Sequence, residues 1–257
     1  MLEIGFFRNA RFSVGVGAVS LMSLALIGIN LPLTLYMQFV NGYTPLETGV
    51  RFVPLALGIL IGAGSADKIV KMLGTTRVMF IGFVSTAGIT ALASFWQVDT
   101  AYWQLGLMFF GLGLSLGYIA APATEAIMGA LSEARAGIGS AMNTVSRMVA
   151  GAIGVAALGS ALSTIYSSSF DKAAATISGL QAEIIETASE SIGSAVIIAE
   201  TLPPAVGNVL AQTAKESFMD GWQVMALVTC GISVIGAFVV LKLMPPQHEP
   251  IAQTPEE

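Results

Sequence analysis

Long uncharged apolar runs, set apart by short polar stretches, dominate the pattern along this chain, and their lengths fix what each run can be. A helix crossing about 30 Å of hydrocarbon needs about 20 apolar residues. Six runs meet that need: Phe12 to Phe39, about Thr48 to Ala66, Val78 to Trp96, Tyr102 to about Gly129, Ile138 to Tyr166, and Phe218 to Leu243. The first is too long for the apolar part of a signal peptide and lacks a small-residue cleavage site. The second carries Arg51 near its end, from which a long side chain extends to the interface. The last stops at Pro245-Pro246. The pattern predicts an all-α polytopic membrane bundle of six transmembrane helices, five within 1–166 and the sixth within 218–244, followed by a tail over 245–257.

Between the fifth and sixth runs, 167–217 is polar, acidic and far longer than the few residues that usually join packed helices. Within it Ile192, Val196 and Ala199 recur at three- and four-residue spacing, and Pro203-Pro204 then breaks the run. A helical hairpin outside the membrane is expected there.

The sided charge distribution predicts orientation, because Lys and Arg in short connections stay cytoplasmic. Arg8, Arg11, Lys68, Lys71, Arg77, Arg135 and Lys242 fall on one side; the other holds Arg51, Lys172 and Lys215 among many acids, including Glu47, Asp99, Asp171, Glu183, Glu190 and Glu216. Both termini, and therefore the tail, are expected inside.

Composition excludes the soluble classes: 54% of residues are hydrophobic and 11% charged, too few polar groups to cover a water-facing domain. The net charge of −5 leaves no basic stripe for a phosphate backbone, so no nucleic-acid partner is expected. The single cysteine, Cys230, lies in an apolar run and reads as a small buried hydrophobe. No nucleophile–base pair or metal-ligand set can be assembled from the spans, and the single histidine, His248, is in the tail. Neither enzyme nor cofactor is expected, and the lipid bilayer is the first partner. The glycines of Gly111-Leu-Gly113-Leu-Ser-Leu-Gly117 and Gly151-Ala-Ile-Gly154 suit close helix packing; the first only spells like a phosphate loop, since no strand precedes it.

Two charges fall inside spans, where an ionisable group is expensive and usually faces a bundle interior or a watery cavity. At 1.5 Å per residue Arg147 lies roughly 15 Å from the Gly137 end of its helix, and Glu125 about 6 Å from the Gly129 end of its own. Glu125 reads either as a proton- or cation-binding acid or as one solvated at the interface or engaged in an inter-helix hydrogen bond. Arg147 reads either as a pathway residue or as a lock bonding carbonyls or Glu125.

Several stretches resemble the C-terminal six helices of the major facilitator superfamily, in its fourteen-helix drug/proton antiporter branch. Phe6-Phe-Arg-Asn-Ala-Arg11 resembles the basic lead-in to that family's ninth helix, and Leu31-Pro-Leu-Thr-Leu-Tyr-Met-Gln38 with Gly42-Tyr-Thr-Pro-Leu46 the end of that helix and the next loop. Gly49-Val-Arg-Phe-Val-Pro54 matches the tenth helix, and Lys71-Met-Leu-Gly74-Thr-Thr-Arg77 a short basic loop of the superfamily. Pro122-Ala-Thr-Glu-Ala-Ile-Met128, Ala136-Gly-Ile-Gly-Ser-Ala-Met-Asn143, Arg147 and Gly151-Ala-Ile-Gly-Val-Ala156 are similar to its twelfth and thirteenth helices in order and spacing. The long loop before the last helix, with Glu190-Ser-Ile-Gly193 and Ser217-Phe-Met-Asp-Gly221, is similar to that of quaternary-ammonium-compound efflux proteins.

The resemblance implies half of a proton-coupled exporter of lipophilic or cationic compounds in a bacterial inner membrane. Protons and a small-molecule substrate would be its cargo, and an N-terminal half its partner. The acids that cation exporters often carry in the thirteenth helix are absent from Asn143-Thr-Val-Ser-Arg147-Met-Val149. Glu125, Arg147, Asn143 and Asn30 are the expected pathway residues; Tyr36 and Gln38 are expected to anchor the outer end of the first helix. A chain beginning at Met1 where such a protein already has eight helices reads as a fragment, a split gene product or a truncated frame. The competing expectation is a non-transporting remnant or an assembly subunit.

Overall fold

Helix starts and stops in the computed structural model, which describes residues 4–132, 136–175 and 181–245, follow local chemistry. Asn9 caps α1 (Ala10–Leu35), its carboxamide oxygen accepting from the backbone N–H groups of Arg11 and Phe12 at 3.0 and 3.4 Å. The helix runs on through a π turn over Tyr36–Val40. Gly42, at φ +73°, then turns the chain, and a reciprocal Thr44/Glu47 cap opens α2 (Pro45–Arg51). A slight break at Phe52 leads into α3 (Val53–Leu73), with Pro54 in its first turn. Gly74, at φ +84°, separates α3 from α4 (Thr75–Ala93). The remaining helices are α5 (Tyr102–Met128), α6 (Ala136–Ala174), α7 (Ala182–Ser189), α8 (Ile192–Thr201) and α9 (Pro204–Leu243).

Six segments are long and apolar enough to cross a membrane: Ala10–Val40, Pro45–Leu73, Thr75–Ala93, Tyr102–Met128, Ala136–Ala174 and Pro204–Leu243. The chain is a multi-pass, all-α membrane bundle. Several of these helices outrun the apolar runs that announced them: α3 continues past Ala66 to Leu73, α6 past Tyr166 to Ala174, and α9 begins at Pro204 instead of near Phe218. Hydropathy marks where hydrocarbon ends, whereas a helix ends at a breaker, and Pro203-Pro204 is the breaker here. Arg135, the segment 176–180 and the tail beyond residue 245, with His248, lie outside the described residues.

Packing proceeds by pairs: α3 lies on α5, α1 on α6, and α4 on α9, with α1 also touching α5 and α9. Glycine makes the first two crossings possible. A Cβ at Gly58 or Gly113 would strike the backbone of the facing helix, at the carbonyls of Phe110 and Leu55, and one at Gly62 would lie 2.6 Å from the Leu114 carbonyl oxygen. In the α1–α6 pair, Gly28 abuts Gly154, and Gly154 abuts the Leu24 carbonyl. Because lipid tails are as apolar as leucine, such close backbone approach is what holds membrane helices together.

The core divides into two layers. One, toward the basic connections, gathers Phe12, Met79, Phe83, Ile119, Ile127 and Val240. The other surrounds Tyr36, Trp96, Phe109 and Trp222 and continues into Ala188, Ile192, Ala195 and Ala199 of α7 and α8. The α7–α8 hairpin is thus seated on the bundle, fastened where the Tyr166 hydroxyl donates to the Ala188 carbonyl at 3.0 Å in a buried setting.

Candidate functional site

The expected pathway residues divide between two surfaces. Asn30 on α1 and Arg147 on α6 line one groove of about 430 Å³, walled by Leu112 and Leu116 of α5 and Leu55 of α3. Both side chains are exposed, and neither has a hydrogen-bond or ion-pair partner among the described residues. No carbonyl or carboxylate among the described residues accepts from the Arg147 guanidinium. Ser23, one helical stretch below Asn30, also lines the groove with its hydroxyl buried and unpartnered.

Asn143 lies one turn before Arg147 on α6. Its amide nitrogen donates to Oγ1 of Thr124 on α5 at 3.3 Å, while its Oδ1 is buried without a partner. This is the polar link between the two helices that share few other contacts. Glu125 follows Thr124 directly, and a helix turns about 100° per residue. Glu125 therefore sits about 100° around α5 from Thr124 and roughly 180° from the groove residue Leu116. It is exposed and forms no ion pair with Arg147. The two charges that the sequence suggests as a coupled pair thus form no ion pair in the structure.

Tyr36 departs from the expectation of an outer-end anchor. It is fully buried, stacked on Trp222 at 5.4 Å and close to Trp96 at 5.5 Å, and its hydroxyl donates to the Gln97 carbonyl at 3.0 Å. The three rings join α1, the α4 end and α9 into one cluster. Tryptophan and tyrosine near a span end carry the same sequence signal whether they anchor at the interface or stack inside, so the signal could not separate the two. Arg51, expected to extend to the interface, has its guanidinium over the Tyr43 ring at 3.7 Å, a cation–π contact.

The groove faces outward between the two least enclosed parts of the bundle. Of the most apolar segments, 17% of residues are buried in α2–α3 and 28% in α6, against 61% in α1. Exposed Leu57, Ile61, Met148 and Val149 extend the apolar surface on either side. Among the described residues no group of three His, Cys, Asp or Glu is placed to hold a metal ion.

The structure is a polytopic helix bundle whose one open face carries a mainly apolar groove marked by Ser23, Asn30, Thr34 and Arg147. No protein-family model matches the chain, but curated relatives do. It is 28% identical to the tetracenomycin C resistance and export protein of Streptomyces glaucescens, over all of this chain and 48% of that protein. It is 28% identical to the methyl viologen resistance protein SmvA of Salmonella typhimurium, over 85% of this chain and 43% of the relative. With the multidrug efflux pump LfrA of Mycolicibacterium smegmatis it shares 27% identity over 93% of this chain and 47% of the pump. These relatives are drug-resistance and efflux proteins of the major facilitator type, the family that the motifs resemble, and they are named for export and resistance, not for catalysis. The chain spans about half the length of the curated relatives it matches.

Proposed function

We propose that this bundle is one half of a proton-coupled exporter of lipophilic or cationic compounds, its groove forming one wall of a substrate path closed by a second bundle, on the same or another polypeptide. The observation that carries the reading is Arg147: an exposed, unpartnered guanidinium well inside an apolar helix, in one groove with Asn30. Facing lipid, such a charge costs at least ~2.5 kcal/mol. Facing a water-filled path between bundles, it does not. In transporters built from repeats, the site lies at that interface near the midplane, and access alternates as one bundle rocks against the other.

Asn30 and Arg147 then contact substrate, Asn143 holds α6 to α5 beside the path, and Glu125, near the basic end of α5, exchanges protons with the cell interior. The basic connections face the cytoplasm, both termini with them, and the hairpin faces outside; in a bacterium this is the inner membrane.

Proton-gradient-driven efflux of tetraphenylphosphonium tests the reading, measured in vesicles holding this bundle with its complementary bundle and in vesicles holding this bundle alone. Gradient-dependent efflux is expected only from the first. Efflux from the pair that persists after the gradient is collapsed overturns proton coupling, and a pair no better than empty vesicles overturns export.

A further inference from the structure

A second cavity, of about 300 Å³, opens between α1, α6 and the start of α8. Its walls are Leu35 and Phe39 of α1 and Ser163 and Tyr166 of α6; Glu190 and Ser191 of the hairpin edge it. It neighbours the groove lined by Asn30 and Arg147. Leu31 lines both, and Val155 of the groove is followed one turn along α6 by Gly159 of the cavity.

The chemistry of the lining is specific. Phe39 is half-buried and pressed against the hairpin, since a Cβ at Gly193 would lie 3.1 Å from its ring. The bond from Tyr166 to Ala188 fixes the neighbouring ring and the hairpin to one another. Glu190 is exposed and has no hydrogen-bond or ion-pair partner among the described residues. An apolar cavity with aromatic walls and one free carboxylate at its edge suits a cation carrying apolar substituents. The ring faces and the carboxylate attract the charge, and the walls take up the rest. A free anion or a strongly hydrated metal ion finds no donors or oxygen cage there.

We propose that this cavity is a second binding site, for lipophilic organic cations, at the hairpin end of the path that begins at Asn30 and Arg147. The site deepens the export reading and rests on it for its place in a path, but it is built wholly from this chain. A cation leaving the groove passes Leu31 and is held between Phe39 and Glu190 before release. The hairpin is then a wall of the path, which explains why it is fastened to the core and not left as a loose connection.

Binding of benzyltrimethylammonium to the full chain in lipid nanodiscs, followed by ligand-observed NMR titration, tests the site. Glu190→Gln keeps shape and removes charge, and is expected to weaken binding roughly fivefold. Ser163→Trp fills the cavity from an exposed position and is expected to abolish binding, with gel-filtration profile and helix content unchanged in both variants. Glu186→Gln, which removes an exposed acid of the same hairpin outside the cavity, is expected to leave the affinity within about twofold. No binding to the unmodified chain, or binding indifferent to both Glu190→Gln and Ser163→Trp, overturns the proposal. Because binding is read on this chain and export on the paired bundles, either reading can fail while the other stands.

Discussion

The indoles of Trp96 and Trp222 stack with centroids 5.1 Å apart and planes 7° from parallel, and the Trp222 Nε1–H donates to the Ala93 carbonyl at 2.8 Å. Residues 126 positions apart in the chain thus close the hairpin end of the bundle, with Tyr36 as a third ring on Trp222. Truncating Trp222 to alanine removes a fully buried ring and is expected to cost about 3 kcal/mol or more. Phenylalanine keeps the stack, loses the hydrogen bond, and costs about 1 kcal/mol. Thermal unfolding in detergent, read by near-UV circular dichroism, should rank native, Trp222→Phe and Trp222→Ala in that order.

Glycines in the α3–α5 crossing are expected to be intolerant, and glycines with open space about them tolerant. A Cβ at Gly113 or Gly117 meets backbone of α3, and backbone cannot swing aside as a side-chain end can. Nothing lies within 4 Å of a Cβ at Gly64 or Gly88. Gly117→Val should abolish the monodisperse peak in fluorescence-detected gel filtration. Gly88→Ala should preserve it, with a small gain of up to about 1 kcal/mol from helix propensity. Equal tolerance at both positions would show that the two helices do not approach as described.

Since Glu125 and Arg147 form no ion pair, their effects on efflux should be independent. In the paired-bundle system, Glu125→Gln is expected to flatten the dependence of efflux on the proton gradient, and Arg147→Ala to raise the substrate concentration needed for half-maximal rate. The double variant should combine the two within about 0.5 kcal/mol, the additivity expected of sites without shared partners. A larger coupling energy in the double-mutant cycle would mean that the residues meet during the transport cycle.

Orientation is testable with single cysteines in a Cys230→Ala background. Ser168, exposed near the hairpin end of α6, and Ser132, exposed after α5, sit at opposite ends of the bundle. An impermeant maleimide added to intact cells should label Ser168→Cys and spare Ser132→Cys. The reverse pattern overturns the proposed sidedness.

What the sequence determined by itself is the set of local decisions. Six apolar runs of crossing length and the Pro203-Pro204 break each depend on neighbours a few residues away, so they are readable from a linear string. The helical nature of the hairpin was readable in the same way from Ile192, Val196 and Ala199. Which face of each helix turns inward was not. A soluble helix announces its buried face by contrast with polar positions, but a helix in lipid is apolar all round and the contrast disappears. Tyr36 therefore looked like an interfacial anchor until Trp96 and Trp222 were seen against it. Glu125 and Arg147 looked like partners because they share neighbouring helices, and only the tertiary structure shows that they form no ion pair. The groove shared by Asn30 and Arg147, and the cavity beyond Leu31, are lined from both α1 and α6, whose crossing is set by Gly28 and Gly154. That geometry belongs to the packing of two helices more than a hundred residues apart in the chain, and only the tertiary structure decides it.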